Sequence, residues 1–349
     1  LGKRMLGLGN AAAFLAALLF ALGGYLTAQV EHVNQLQGLA WLPWVLWGVS
    51  GFRFQVSGSE FRVSGFELKR NRSPFTIYHS PFTIRILLIA LFFALQLLAG
   101  HTQTAFITGV GAAAVVAVGY LRLTIDDLRL TASRTTQHAT RLLYHAAPLL
   151  VGVLLAMGLA AAQLLPTLEL TGLSSRQGGL PFNEAVSFSL HPLLLTRSLL
   201  PSYGQGLFSE YVAFLPLTAL LLALVGAWRW RQDRAVWPVL VLVGLGLFLA
   251  LGRFNPAYWL LARLPGFDLF RAPARWLALY SLGMALLAGA GWENLRGEQG
   301  RKVVRYGVLG LGLLMVWGVV SVLLARFIPI GPEAPPEYPS LNTFRGWII

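Results

Sequence analysis

Nine apolar runs, separated by short polar stretches, divide this chain of 349 residues and leave few folds open to it. They run approximately from Ala11 to Val30, Leu36 to Val49, Ile84 to Ala99, Ala105 to Leu121, Ala146 to Leu165, Val212 to Trp228, Val236 to Leu251, Trp276 to Gly291 and Val303 to Ala325. Most have the ~17–25 residues that a helix needs to cross a bilayer. Only 12% of residues are charged, against about 25% in an average soluble domain, so the chain cannot cover a water-facing surface. The expectation is an all-α integral membrane protein with about nine transmembrane helices. The first run is too long for a signal peptide, and Gln29-Val30-Glu31 is a poor cleavage site, so it reads as a retained span. The second is short and contains Pro43; alone it fits a re-entrant or interfacial segment.

Charge decides that question. With the N-terminus in the cytoplasm, the inside segments hold 19 of the 27 basic residues and the outside segments hold 8. Acidic residues split 7 and 7. A basic-only bias is what membrane topology imposes. Dropping the second span would place the Arg-rich stretch from Arg53 to Arg85 outside and invert everything after it. Nine spans, N-terminus inside and C-terminus outside, is the consistent solution. The net charge of +13 is then a topological signature. No RNP, zinc-finger or basic-region pattern accompanies it, so nucleic acid is not an expected partner. There is no cysteine, which excludes disulfides and thiolate metal sites.

Residues 1–325 therefore read as a single transmembrane domain, and 326–349 as an external tail continuing into further sequence. The chain begins at Leu1 and reads as a piece of a longer protein. Two external connections are long, 166–211 and 252–275, and mix aromatics, prolines and charges, so both are expected to be ordered on the membrane surface. A cytoplasmic insertion at 52–83 repeats itself. Phe52-Arg53-Phe54-Gln55-Val56-Ser57-Gly58 is echoed by Glu60-Phe61-Arg62-Val63-Ser64-Gly65, and Ser73-Pro74-Phe75-Thr76-Ile77 by Ser80-Pro81-Phe82-Thr83-Ile84. Its first part alternates apolar and polar residues about Ser57-Gly58 and predicts a small hairpin. It is either a docking element or an insertion tolerated in a loop.

Candidate chemistry lies in the external segments. His32 and Asn34 follow the first span, and His101 and Gln103 join the third to the fourth. An imidazole and an amide at the membrane surface suit a sugar or a phosphate, or else cap a helix. The two histidines lack a carboxylate spaced to complete a metal site, so no cofactor is evident and a divalent metal is unsupported. Glu169 sits at a membrane boundary, where a carboxylate is costly unless paired; it is a candidate base or a partner for an arginine. Arg271 and Arg275 lie four apart at the external start of the eighth span, against the topological bias. On one helical face near Pro273 they would cradle a lipid phosphate. The alternatives are a bridge to Asp268 and snorkelling to headgroups.

Several stretches, taken in order, resemble the YfhO-like bacterial membrane proteins. They are Ala40-Trp41-Leu42-Pro43-Trp44 after His32 and Asn34; Leu98-Ala99-Gly100-His101-Thr102-Gln103; Leu164-Leu165-Pro166-Thr167 with Glu169; Glu184-Ala185-Val186-Ser187-Phe188-Ser189; and Phe270-Arg271-Ala272-Pro273-Ala274-Arg275-Trp276. That family is assigned to the GT-C class of multi-span glycosyltransferases. The resemblance implies a GT-C-like fold and an outward-facing site that takes a sugar from a polyprenyl-phosphate carrier and passes it to a cell-envelope polymer or glycolipid. It also implies a catalytic carboxylate in a first external loop, which would lie before Leu1. The competing readings are a transporter or flippase for a lipid-linked solute, and a non-catalytic membrane scaffold left over from an enzyme. A transporter is expected to show internal repeats and broken helices, whereas a transferase gathers its polar groups on one face.

Overall fold

The computed structural model describes residues 1–50, 54–57, 60–63, 81–130, 137–174, 176–201, 207–228, 234–264, 266–295, 300–325 and 327–328. Among these residues the protein is helical apart from one small hairpin. In chain order the elements are α1 (Gly2–Leu6), α2 (Asn10–Ala21), α3 (Gly24–Ala28), α4 (Val33–Val49), β1 (Phe54–Ser57), β2 (Glu60–Val63), α5 (Pro81–Leu98), α6 (Thr102–Leu130), α7 (Gln137–Leu159) and α8 (Ala161–Gly172). There follow α9 (Phe182–Ala185), α10 (Leu195–Leu199), α11 (Leu217–Trp228), α12 (Trp237–Ala250), α13 (Pro256–Leu261), α14 (Leu277–Leu295) and α15 (Gly300–Leu324). The hairpin falls where alternation predicted it, antiparallel with Phe54 opposite Val63 and Ser57 opposite Glu60.

Each of the nine apolar runs contains a helix. By length and hydropathy three are long and apolar enough to cross a membrane: Asn10–Ala28, Thr102–Arg122 and Val304–Leu324. A fourth arises if α7 and α8 form one broken span, bent by 82°. Several boundaries differ from the sequence reading. The fifth run breaks at Ala160, and helix then continues past Pro166 as far as Gly172. Pro166 lies inside α8 and removes one backbone donor without ending the helix. The sixth run starts its helix only at Leu217, after Pro216. The first run is itself interrupted at Leu22-Gly23, where α2 gives way to α3.

The core is organised around α14. Its residues from Leu277 through Gly291 are all buried, and it packs against α2, α11 and α12. Small residues make that possible. A β-carbon on Gly226 of α11 would collide with the carbonyl oxygen of Leu287, and one on Gly291 with that of Leu222. Backbones thus approach to contact, as small-residue seams allow where lipid supplies no hydrophobic drive between helices. A second layer pairs α4 with α5 and α5 with α7. There Gln96 reaches across to the carbonyl of Gly38 at 2.8 Å and to Thr108 Oγ1 at 2.8 Å, tying three helices with one amide.

The helix ends sort into two groups. At one, Arg4 lies 4.7 Å above the ring of Trp47 and the amide of Gly9 donates to Glu293. At the other, the described parts of the two long connections are ordered on each other. Leu180 N donates to Asp268 O at 2.7 Å, Ala272 N to Ser187 O at 3.1 Å, and Ala213 N to Ser198 O at 3.0 Å.

Candidate functional site

That second end holds a polar cluster built on Arg275. Arg275 lies in a 3-10 turn, Pro273–Trp276, that opens α14; proline at its first position presets the backbone. Its Nε and Nη2 donate to one carboxylate oxygen, Oε1 of Glu210, at 2.9 and 2.7 Å. Its Nη1 donates to Gln103 Oε1 at 2.5 Å. Gln103 returns a bond from Nε2 to the carbonyl of Arg271 at 2.7 Å. The Arg275 carbonyl accepts from the Tyr25 hydroxyl at 3.1 Å, and Gln35 Nε2 reaches that hydroxyl at 3.5 Å. Gln29 Nε2 donates to the carbonyl of Ser209, next to Glu210, at 3.0 Å. One network therefore joins α3, α4, the start of α6, the Ser209–Tyr211 turn and the start of α14.

His101 stands beside it at the mouth of α6. Its Nδ1 accepts from the amide of Thr104 at 3.3 Å, the helix-capping role, which leaves the proton on Nε2. Burial first, and the Arg275 charge second, push its pKa down to about 4, with Glu210 opposing. The ring is therefore neutral at physiological pH and cannot add positive charge toward a phosphate.

Arg271 and Arg275 do not share a helical face. Between them Ala272 takes a left-handed backbone, φ 62 and ψ 72, a conformation uncommon outside glycine. The helical turn starts only after it. Arg275 is turned inward to Glu210 and Gln103, and Arg271 is exposed with no side-chain partner among the described residues. Asp268 bridges neither of them; its Oδ1 accepts from the amide of Gly266 at 3.0 Å. The cradle expected from two arginines and a histidine is one neutralised arginine, one open arginine and one neutral imidazole.

The other residues named from sequence fall as follows. His32 precedes α4 without capping it, and its Nδ1 is buried without a hydrogen bond. Asn34 is exposed, its Oδ1 accepting from the amide of Gln35 at 2.9 Å. Glu169 is exposed on α8, takes no part in the bonds of the arginine cluster, and its side chain has no partner among the described residues. No group of three His, Asp or Glu among the described residues is placed to hold a metal ion.

Four members of the network were not singled out in the sequence: Tyr25, Gln29, Gln35 and Glu210. The glutamate is the most consequential. It is 2% exposed, and a carboxylate that deep is rarely found unpaired. Its only advance signal is position, an acidic residue closing the long external connection. Chemically, the arrangement is a rigid anchor, Arg275, surrounded by acceptors. Glu210 Oε2, Gln29 Oε1, Gln35 Oε1 and His32 Nδ1 are all buried and unpartnered. No family model, curated protein or solved structure matches this chain.

Proposed function

We propose that this chain crosses the membrane nine times, N-terminus inside and C-terminus outside, as part of a polyprenyl-phosphate-sugar-dependent glycosyltransferase. It would act at the outer face of a bacterial cytoplasmic membrane on a cell-envelope polymer or glycolipid. One observation carries the reading. All four connections assigned to the outside by charge counting contribute to a single hydrogen-bonded cluster: Gln35 from the first, Gln103 from the second, Glu210 from the third, Arg275 from the fourth, with Gln29 joining from the end of the first run. Side chains that distant in sequence meet only if those helix ends share one side. Gathered polar groups at one face are what a transferase working beside the bilayer needs. Within this reading the open guanidinium of Arg271 takes the carrier's phosphate, a forked donor meeting tetrahedral oxygens.

Topology and activity are tested separately. The chain has no cysteine, so single-cysteine variants report cleanly. In intact cells Glu184→Cys should label with an impermeant thiol reagent and Ser64→Cys should not; the reverse pattern overturns the orientation. Purified protein should bind a short-chain polyprenyl phosphate, and Arg271→Ala should weaken that binding about ten- to a hundredfold, the value of one charge-assisted contact. Equal binding by both would remove Arg271 from the site.

The transporter reading draws support from a specific feature. The first run is interrupted between α2 and α3, and α7 turns 82° into α8, as broken helices do in carriers. Flux of a lipid-linked sugar across proteoliposomes without any transfer to acceptor would favour it.

A further inference from the structure

Of the four buried unpartnered atoms at the seam between α3–α4 and the Ser209–Tyr211 turn, three bear on ligand chemistry together. Glu210, Gln29 and Gln35 come from separate elements yet are linked through Tyr25, Arg275 and Ser209, while the His32 side chain makes no bond to that network among the described residues. Glu210 places both bonds from Arg275 on Oε1, and Oε2 is left with nothing. Gln29 and Gln35 are fully buried, and each spends its amide nitrogen on a neighbour while its oxygen stays unpaired. A buried polar atom without a partner is costly. Three in one network make this closed arrangement a poor resting place unless something else completes it.

The missing partner has a definite character. Three of the orphans are oxygens, one of them on a carboxylate whose positive neighbour is already satisfied. Such a set repels a phosphate and attracts hydrogen-bond donors. We infer that the seam is a binding site for the hydroxyl-rich end of a ligand, with Glu210 Oε2, Gln35 Oε1 and Gln29 Oε1 as its acceptors. The inference rests on the carrier reading given above and refines it. The sugar goes into the seam, and the phosphate stays outside at Arg271. Arg275 does not touch phosphate; it fixes the carboxylate so that Oε2 faces the ligand. Entry requires α3 to part from the Ser209–Tyr211 turn, and the break at Gly23, before α3, supplies a hinge.

The test compares a short-chain polyprenyl phosphate with its hexosyl derivative on purified full-length chain, using wild type, Glu210→Gln and Gln35→Leu. Wild type should bind the hexosyl lipid at least tenfold tighter than the bare phosphate. Both variants should lose most of that preference while binding the bare phosphate as wild type does. Gln35→Leu should also raise the unfolding temperature, because it replaces an unpaired buried amide by a hydrocarbon of similar size. A purely structural seam would instead show unchanged ligand preference and lowered unfolding temperatures in both variants, and that result overturns the assignment. Wild type that binds bare phosphate with no preference for the sugar overturns it too and leaves the carrier reading standing. Binding of neither lipid brings both down.

Discussion

Arg275 and Arg271 illustrate how four positions along a chain can separate two identical side chains by role. Arg275 is tied to a carboxylate that is 2% exposed, and removing one partner of such a pair strands the other. Arg275→Ala should therefore cost about 3–5 kcal/mol of stability, whereas Arg271→Ala, on the surface, should stay within about 0.5 kcal/mol. Chemical unfolding of both variants in detergent checks the contrast; similar losses would mean that Arg271 is also buried in an ion pair. His101 gives a pH dependence with a fixed sign. Its pKa falls from 6.5 in the unfolded chain to about 4 in the folded protein, so the unfolded state binds the extra proton between those values. Stability should therefore drop as pH falls from about 6.5 toward 4 and be flat above, and His101→Gln should remove that part of the slope. A slope unchanged by the substitution would put the titrating group elsewhere.

At the level of elements, what was legible in the sequence was the periodic and compositional part. Nine apolar runs became helices because length and hydropathy are local properties. The β1–β2 hairpin was readable from alternation alone. Three features were not legible, each for a physical reason. The 82° turn at Ala160 has only Gly158 as a local signal, and a single glycine inside an apolar run does not by itself mark a break; Pro166 lies beyond it. The left-handed Ala272 is set by its surroundings, its amide held by Ser187 O and its carbonyl by Arg275 N, so the spacing of Arg271 and Arg275 gave a false helical face. Glu210 gained its meaning only when the 166–211 connection folded onto the 252–275 connection. The helix seams yield a firm prediction. Gly226→Ala and Gly291→Ala each press a methyl into a carbonyl oxygen of the facing helix, and should destabilise by about 1–3 kcal/mol as overpacked sites do. Gly244→Ala, which meets nothing within 4 Å, is the control and should be neutral or better.

Across the whole molecule, the distribution of contacts bears on the order of events during synthesis. The helix around which the bundle is arranged, α14, follows all three of its main partners in sequence. Its partner α2 leaves the ribosome some 250 residues before it, and α11 and α12 precede it as well. Until Leu277–Leu295 arrives, those three helices present small-residue faces, Ala12 and Ala16 on α2, Gly226 on α11 and Gly246 on α12, without the helix that they pack against. The late helix is itself rich in alanine and glycine, carries Glu293 near its end, and is less greasy than the segments it joins, so it enters the bilayer best when the others are there to receive it. Up to residue 276 the nascent protein therefore holds three helices whose common packing partner has not yet been made. Chains stopped after residue 270 should be membrane-inserted yet rapidly cleared by quality-control proteases, and a release of the arrested chain through α14 should rescue them within one further helix of growth.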